Sequence, residues 1–138
     1  MERVVVALVL GAVVFVAAAV LRRRQSDAPT QRRWAVPDQL DRRDFDGPEK
    51  QWLIAVFTSA TCQSCAEAVS KAKPLEGPAV AVQEVELAGR SDLHERYNIE
   101  AVPTMVVADD EGVVRASYVG PPNATELWAV VAQVRDGG

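Results

Sequence analysis

An α/β sandwich with a mixed central sheet flanked by helices is the fold class this sequence predicts. Three observations lead there. Short apolar runs rich in β-branched and aromatic residues alternate with stretches of helix formers from residue 52 to residue 134. The first two runs, 52–58 and 79–87, are joined by a helical crossover, which implies a parallel pair. The last two are joined by the turn Asp109-Asp110-Glu111-Gly112, which returns the chain as an antiparallel hairpin strand.

The N-terminal segment stands apart from that pattern. Residues 4–21 form an uninterrupted run of 18 without a charge. As a helix the run reaches roughly 27 Å, close to the hydrocarbon thickness of a bilayer. A buried core helix would show a polar stripe, and this run has none. A cleaved signal peptide is the main rival reading, since Ala17-Ala18-Ala19 supplies suitable small residues. The run is longer than an ordinary signal core, however, and Arg22, Arg23 and Arg24 follow it directly, a poor site for cleavage. One transmembrane anchor with a basic flank is therefore expected over residues 1–24. The arginines, with Arg32 and Arg33 beyond them, place the body on the cytoplasmic face; the extracytoplasmic face is the alternative.

Residues 25–37 are polar, contain Pro29 and Pro37, and lack apolar periodicity, as a tether would. Trp34 is the exception, suited either to the membrane interface or to packing on the body. Residues 38–138 form the expected domain. Within it, 40–45 is a short edge strand or an irregular lead-in, broken by Arg42 and Arg43, and Asp46-Gly47-Pro48 is a turn. Trp52 to Thr58 is continuously apolar up to its last residue, as a strand buried on both faces requires. A helix follows Cys62 and runs to about Lys73, where Pro74 ends it. Residues 79–87 make the second strand. Ser91 is placed to cap a short helix over 92–97. A strand follows within 99–108, then the hairpin turn and its partner over 113–119. Asn123 or Thr125 caps a last helix, whose apolar face is Leu127, Trp128, Val130, Val131 and Val134.

Composition narrows the function. The full chain carries a net charge of -4, and residues 25–138 hold 11 Lys and Arg against 18 Asp and Glu. Such a body has no basic patch to offset phosphate repulsion, so nucleic acid is excluded as a partner. The only two cysteines are Cys62 and Cys65, too few and too close to staple a scaffold. They fall where a strand ends and a helix begins. A helix N-terminus offers unpaired N–H groups and partial positive charge, which favour a thiolate over a thiol. A redox dithiol is the leading reading. Half of a zinc site and a pair of inert cysteines are the competing ones.

A second motif bears on that choice: Val102-Pro103-Thr104, at the start of a strand, after Tyr97-Asn98-Ile99. Together with Cys62-Gln63-Ser64-Cys65, the turn at Asp110-Glu111-Gly112 and Gly120 before the last helix, it makes the chain resemble the thioredoxin family over about residues 50–136. The resemblance implies a thioredoxin-like fold and a membrane-anchored thioredoxin domain. It implies that Pro103 is cis and faces the cysteine pair. It makes Cys62 the attacking thiolate and Cys65 the resolving thiol. Thr61, Gln63, Ser64, Val102, Pro103 and Thr104 become the residues that meet an extended substrate strand. No metal or organic cofactor is implied; electrons pass by thiol exchange with protein thiols and disulfides. A reductase or a membrane redox protein would supply them.

Three departures from the family pattern matter. Thr61 stands where the family has Trp, so a flat apolar contact is missing. Gln63-Ser64 replaces the usual Gly-Pro between the cysteines, so the redox potential does not transfer. Val56 stands where the family's reductases hold a buried Asp that handles the resolving thiol's proton. Glu84 is a candidate substitute, with a solvated strand-edge glutamate the plainer reading. These departures argue against a general reductase and motivate a second hypothesis, a non-catalytic binding or chaperone-like module.

The remaining candidate residues carry no chemistry of their own. His94 is the lone histidine, so a closed zinc site with the two cysteines lacks a protein ligand and no Ser-His-Asp set can be assembled. Asp109, Asp110 and Glu111 form an acidic tip that reads as a plain hairpin turn. Trp128 is expected in the core.

Overall fold

A computed structural model of the chain describes residues 1, 12–16 and 34–136. The chain divides into two compact units, Met1–Arg33 and Trp34–Gly138. In the first, residues 12–16 are helical and exposed. The rest of the apolar run at 4–21 and most of the tether at 25–37 lie outside the described residues. Among the described residues no helix is long and apolar enough to cross a membrane.

The second unit holds four strands: β1 (Trp52–Thr58), β2 (Val80–Glu86), β3 (Thr104–Ala108) and β4 (Val114–Val119). Three α-helices flank them: α1 (Gln63–Ala72), α2 (Ser91–Arg96) and α3 (Ala124–Asp136). The sheet order is β2-β1-β3-β4. β1 pairs parallel with β2, and β3 pairs antiparallel with both β1 and β4. The predicted mixed sheet is therefore present, with β1 and β3 in the middle. Both central strands are buried along their whole length, which is why their sequences read as unbroken apolar runs.

Alternation along β1 splits the core into two layers. Leu53, Ala55 and Phe57 face one side, where they meet Leu93 of α2 and the lead-in residues Leu40 and Phe45. Ile54 and Val56 face the other, where they meet Ala68 and Ala72 of α1 and Leu127 and Val131 of α3. The helices thus cover both faces of the sheet.

Several local expectations are corrected. The lead-in at 40–45 is not a strand: Arg42–Asp44 is a single 3-10 turn, capped by Asp41, whose side chain accepts from the Arg43 N–H. Arg42 does not simply interrupt a strand. Its guanidinium is buried and donates to the carbonyls of Asp109, Gly47 and Lys50 at 2.8, 3.1 and 3.0 Å. Ser91 is the first residue of α2 rather than its cap, because the Arg90 carbonyl already accepts from Leu93 and His94. Trp128 is 50% exposed, not core. It lies beside the buried Leu127 at the edge of the apolar stripe and donates its indole N–H to Lys71 O at 3.4 Å.

The turn between β3 and β4 behaves as the sequence suggests. Asp109 Oδ1 accepts the N–H groups of Glu111 and Val113, and its other oxygen meets Arg115. Gly112 has φ +82°, and a Cβ there would collide with the Leu40 carbonyl oxygen.

Candidate functional site

Strand direction brings four chain segments to one end of the sheet. β1 and β2 finish there, with Thr58 in register with Glu86. β3 starts there and β4 finishes there, with Thr104 in register with Phe57 on one side and Val119 on the other. The loop from Thr58 to Cys62, the loop before Pro103, the turn after Glu86 and the turn at Gly120 therefore surround one edge.

Cys62 and Cys65 sit at this edge, joined as a disulfide with Cα atoms 5.4 Å apart. Cys62 is the N-cap of α1, extended at φ -93°, and makes no side-chain cap bond. It is half-buried, while Cys65, one turn along, is 3% exposed. The difference follows from helix geometry. Cys65, Ala68 and Ala72 share the stripe that packs on the sheet, and Cys62 precedes it at the open end. No acidic residue lies in the first turn of α1, so the positive end of the helix is not offset there.

The neighbours of the pair are arranged by short polar contacts. Cys62 N–H donates to Ser59 O at 3.1 Å. Ser59 and Thr61 share a hydroxyl contact at 3.2 Å, which leaves Thr61 exposed where a flat aromatic ring would otherwise stand. Gln63 is exposed. Ser64 Oγ lies 3.7 Å from Cys62 Sγ.

At the same end of the sheet runs the loop that leads into β3. The Val102–Pro103 peptide bond is cis. Pro103 O accepts the Gly120 N–H at 2.8 Å, and Thr104 Oγ1 donates to Ala101 O at 2.7 Å, so both sides of the proline are tied down. Pro103 and Thr104 are buried, and Val102 is half-exposed. All eight residues singled out from the sequence thus lie at the same end of the sheet: Thr61 and Cys62 in the loop before α1, Gln63, Ser64 and Cys65 in its first turn, Val102 and Pro103 in the loop before β3, and Thr104 at the start of that strand.

Two further residues bear on the missing carboxylate, and neither supplies it beside the pair. Val56 is fully buried, between Glu84 of β2 and Met105 of β3 in register. Glu84 is exposed on the edge strand, as the plainer reading had it, and accepts from the buried Thr58 hydroxyl at 2.8 Å.

Comparison with solved structures bears on the architecture. The chain matches a thioredoxin mutant from Halobacterium salinarum NRC-1 with TM-score 0.55 and 22% identity, over 62% of this chain and 76% of that one. It matches the germline-specific thioredoxin Deadhead of Drosophila melanogaster with TM-score 0.56 and 21% identity, over 66% and 88%. This is a thioredoxin fold. Fasciola hepatica thioredoxin matches at TM-score 0.52 and 24% identity, over 60% and 80%. No family model and no curated protein matches the chain.

Within the thioredoxin fold, two features went unseen in the sequence. Glu86 closes the turn after β2: the N–H groups of Ala88 and Gly89, and then that of Ala60, hold its carboxyl below the usual carboxylate range. A glutamate three residues before Gly89 is a faint signal for such a turn. His94 is 5% exposed, bonds Val85 O through Nε2 at 2.8 Å and meets Phe57 edge-on. It belongs to the core rather than to the polar surface that its helix suggests. Among the described residues, no three His, Cys, Asp or Glu side chains gather as metal ligands.

Proposed function

We propose that this chain is a membrane-tethered thiol–disulfide oxidoreductase that exchanges disulfides with protein thiols through Cys62 and Cys65. The observation that carries the reading is the Cys62–Cys65 disulfide at the start of α1, with its first member accessible and its second buried. In the reducing direction, Cys62 thiolate attacks a partner disulfide and releases one partner thiolate, which takes a proton from water. Cys65 then loses its proton to solvent and attacks Cys62 sulfur. The second partner thiolate leaves, and the Cys62–Cys65 disulfide is restored. The partner gains two electrons, and the dithiol loses two.

Thr61, Gln63, Ser64, Val102, Pro103 and Thr104 form the substrate-facing rim in this reading. Their support is their common position at one sheet edge, beside the pair. An electron donor, either a reductase or a membrane redox protein, returns the pair to the dithiol. The membrane anchor in this reading is residues 4–21, supported by an uncharged run of bilayer length; the three arginines that follow favour the cytoplasmic face for the domain.

The test is redox cycling of the full chain in detergent against a glutathione series. The expected result is one two-electron transition between dithiol and disulfide, absent when Cys62 and Cys65 are both replaced by Ser. A pair that never forms a disulfide across the series would remove the proposal. Full cellular function of the double-serine variant would favour the binding-module reading in its place.

A further inference from the structure

A cleft of about 460 Å³ opens at the end of the sheet away from the cysteines. β1 and β4 begin there, β3 ends there, and the last turn of α3 reaches it. Its size falls within the range of small-molecule sites, about 300–1,000 Å³. Its apolar part is Trp52 and Val134, which share one core layer. Trp52 is 5% exposed, and its indole N–H has no partner among the described residues. Among those residues, Arg42 Nε is the only fully enclosed side-chain nitrogen or oxygen without one. The Trp52 N–H is therefore within reach of solvent, and the cleft is the surface that Trp52 lines.

The charged wall is built by a β-bulge. Val107 pairs with Ala116 and Ala108 with Val114, so Arg115 is left over between them. A bulge re-aims the side chain of its extra residue. Here Arg115 meets Asp109: Nε and Nη2 both donate to Oδ2, at 2.8 and 2.7 Å. Asp109 Oδ1 already accepts from the turn. Asp109 is thus fully engaged, while Arg115 Nη1 has no partner among the described residues. Asp110, part of a plain hairpin turn by its sequence, is exposed at the cleft and makes no ion pair among the described residues. Gln51 and Gln133, both exposed, bring two amides to the same lining.

We propose that this cleft binds a small zwitterion, an α-amino acid with an apolar side chain. Its carboxylate accepts from the Trp52 N–H and from Arg115 Nη1. Its ammonium pairs with Asp110, and its side chain lies on Trp52 and Val134. Charge and hydrogen bonding decide between ligand classes. Asp109 and Arg115 cancel, so Asp110 leaves the lining with one negative charge, which disfavours a simple anion. A simple amine would leave the indole N–H, on a buried ring, without an acceptor. A ligand that carries both groups satisfies both. None of these residues takes part in disulfide exchange, so the site stands apart from the oxidoreductase reading.

The experiment is an NMR titration of the isotope-labelled full chain in detergent, read at the indole N–H signals. The Trp52 signal is the one that survives both Trp34→Phe and Trp128→Phe, two exposed positions. The probes are L-leucine, 3-methylbutylamine, which lacks the carboxylate, and 4-methylpentanoate, which lacks the ammonium. L-Leucine should move the Trp52 signal saturably, half-saturating at or below about 1 mM, and each analogue should bind about tenfold more weakly. Asp110→Asn, an exposed substitution, should weaken L-leucine about tenfold and leave 4-methylpentanoate unchanged. A Trp52 signal that stays still, or that answers 3-methylbutylamine as strongly as L-leucine, would overturn the proposal. So would an Asp110→Asn chain that binds L-leucine as the wild type does.

Discussion

Tyr97 shows how a residue that the sequence offered only as part of a motif acquires a structural task. Its hydroxyl accepts the Asp41 N–H at 3.0 Å and donates to Asp44, which also pairs with Arg96. Its ring packs against Phe45 and Phe57, so it joins the lead-in to β1 at the end that bears the cysteines. Burial first, and then the hydrogen bond to the Asp44 carboxylate, pushes the phenol up to about 12. The fold thus favours the neutral phenol. That stabilisation is fully present below the ordinary phenol value of about 10 and is lost as pH rises through about 12. Tyr97→Phe should be about 1 kcal/mol less stable at pH 8, for want of two hydrogen bonds. It should also show a shallower decline in stability between pH 10 and 12, with a residual slope from Tyr118, which burial raises as well. Urea unfolding across that range measures both. An alkaline decline identical to the wild type would refute the assignment.

At the scale of elements, α1 is held on the sheet by small residues. Ala68 and Ala72 are fully buried against Val56 and Met105, and Lys71 ties the helix to the loop before α3 through Pro122 O at 2.7 Å. Close approach of the helix axis to the sheet places Cys65 deep while leaving Cys62 at the open end. Enlarging Ala68 would overfill a closed layer and push the helix outward. Ala68→Leu should cost about 1–3 kcal/mol in urea unfolding. Ala66→Leu, two residues earlier in the same helix but on its exposed side, should cost almost nothing. Equal stability of the two variants would mean that α1 does not pack as described.

For the whole molecule, the question is what the apolar N-terminal run does for a domain that already has a closed core of its own. Both layers of that core are filled from residues 40–131. In the proposed reading, a bilayer is the partner of this uncharged run of 18 residues. The full chain should float with phosphatidylcholine vesicles through a density gradient, and a chain beginning at Trp34 should remain with the soluble protein. Recovery of the full chain in the soluble fraction would refute the tether.

Much of this protein was legible from local pattern alone. The bounds of β1, the helix that starts after Cys62, the hairpin at Asp109–Gly112 and the two loops that carry the cysteines and Pro103 all follow from runs of apolar residues, turn residues and caps. Those signals are local because they depend on backbone preference and on which face of an element is apolar. They are silent on what covers that face. Only the tertiary structure decided that β3 runs antiparallel to β1, which brings Pro103 to the cysteine end. It alone buried Arg42 and His94, left Trp128 half-exposed and turned the lead-in into a 3-10 turn. In each case the outcome depends on a neighbour distant in sequence: the carbonyl of Asp109 for Arg42, that of Val85 for His94, and α1 beside Trp128. The Ser64–Cys62 contact lies between these limits, since its spacing is written in the sequence but the start of the helix brings the two groups together.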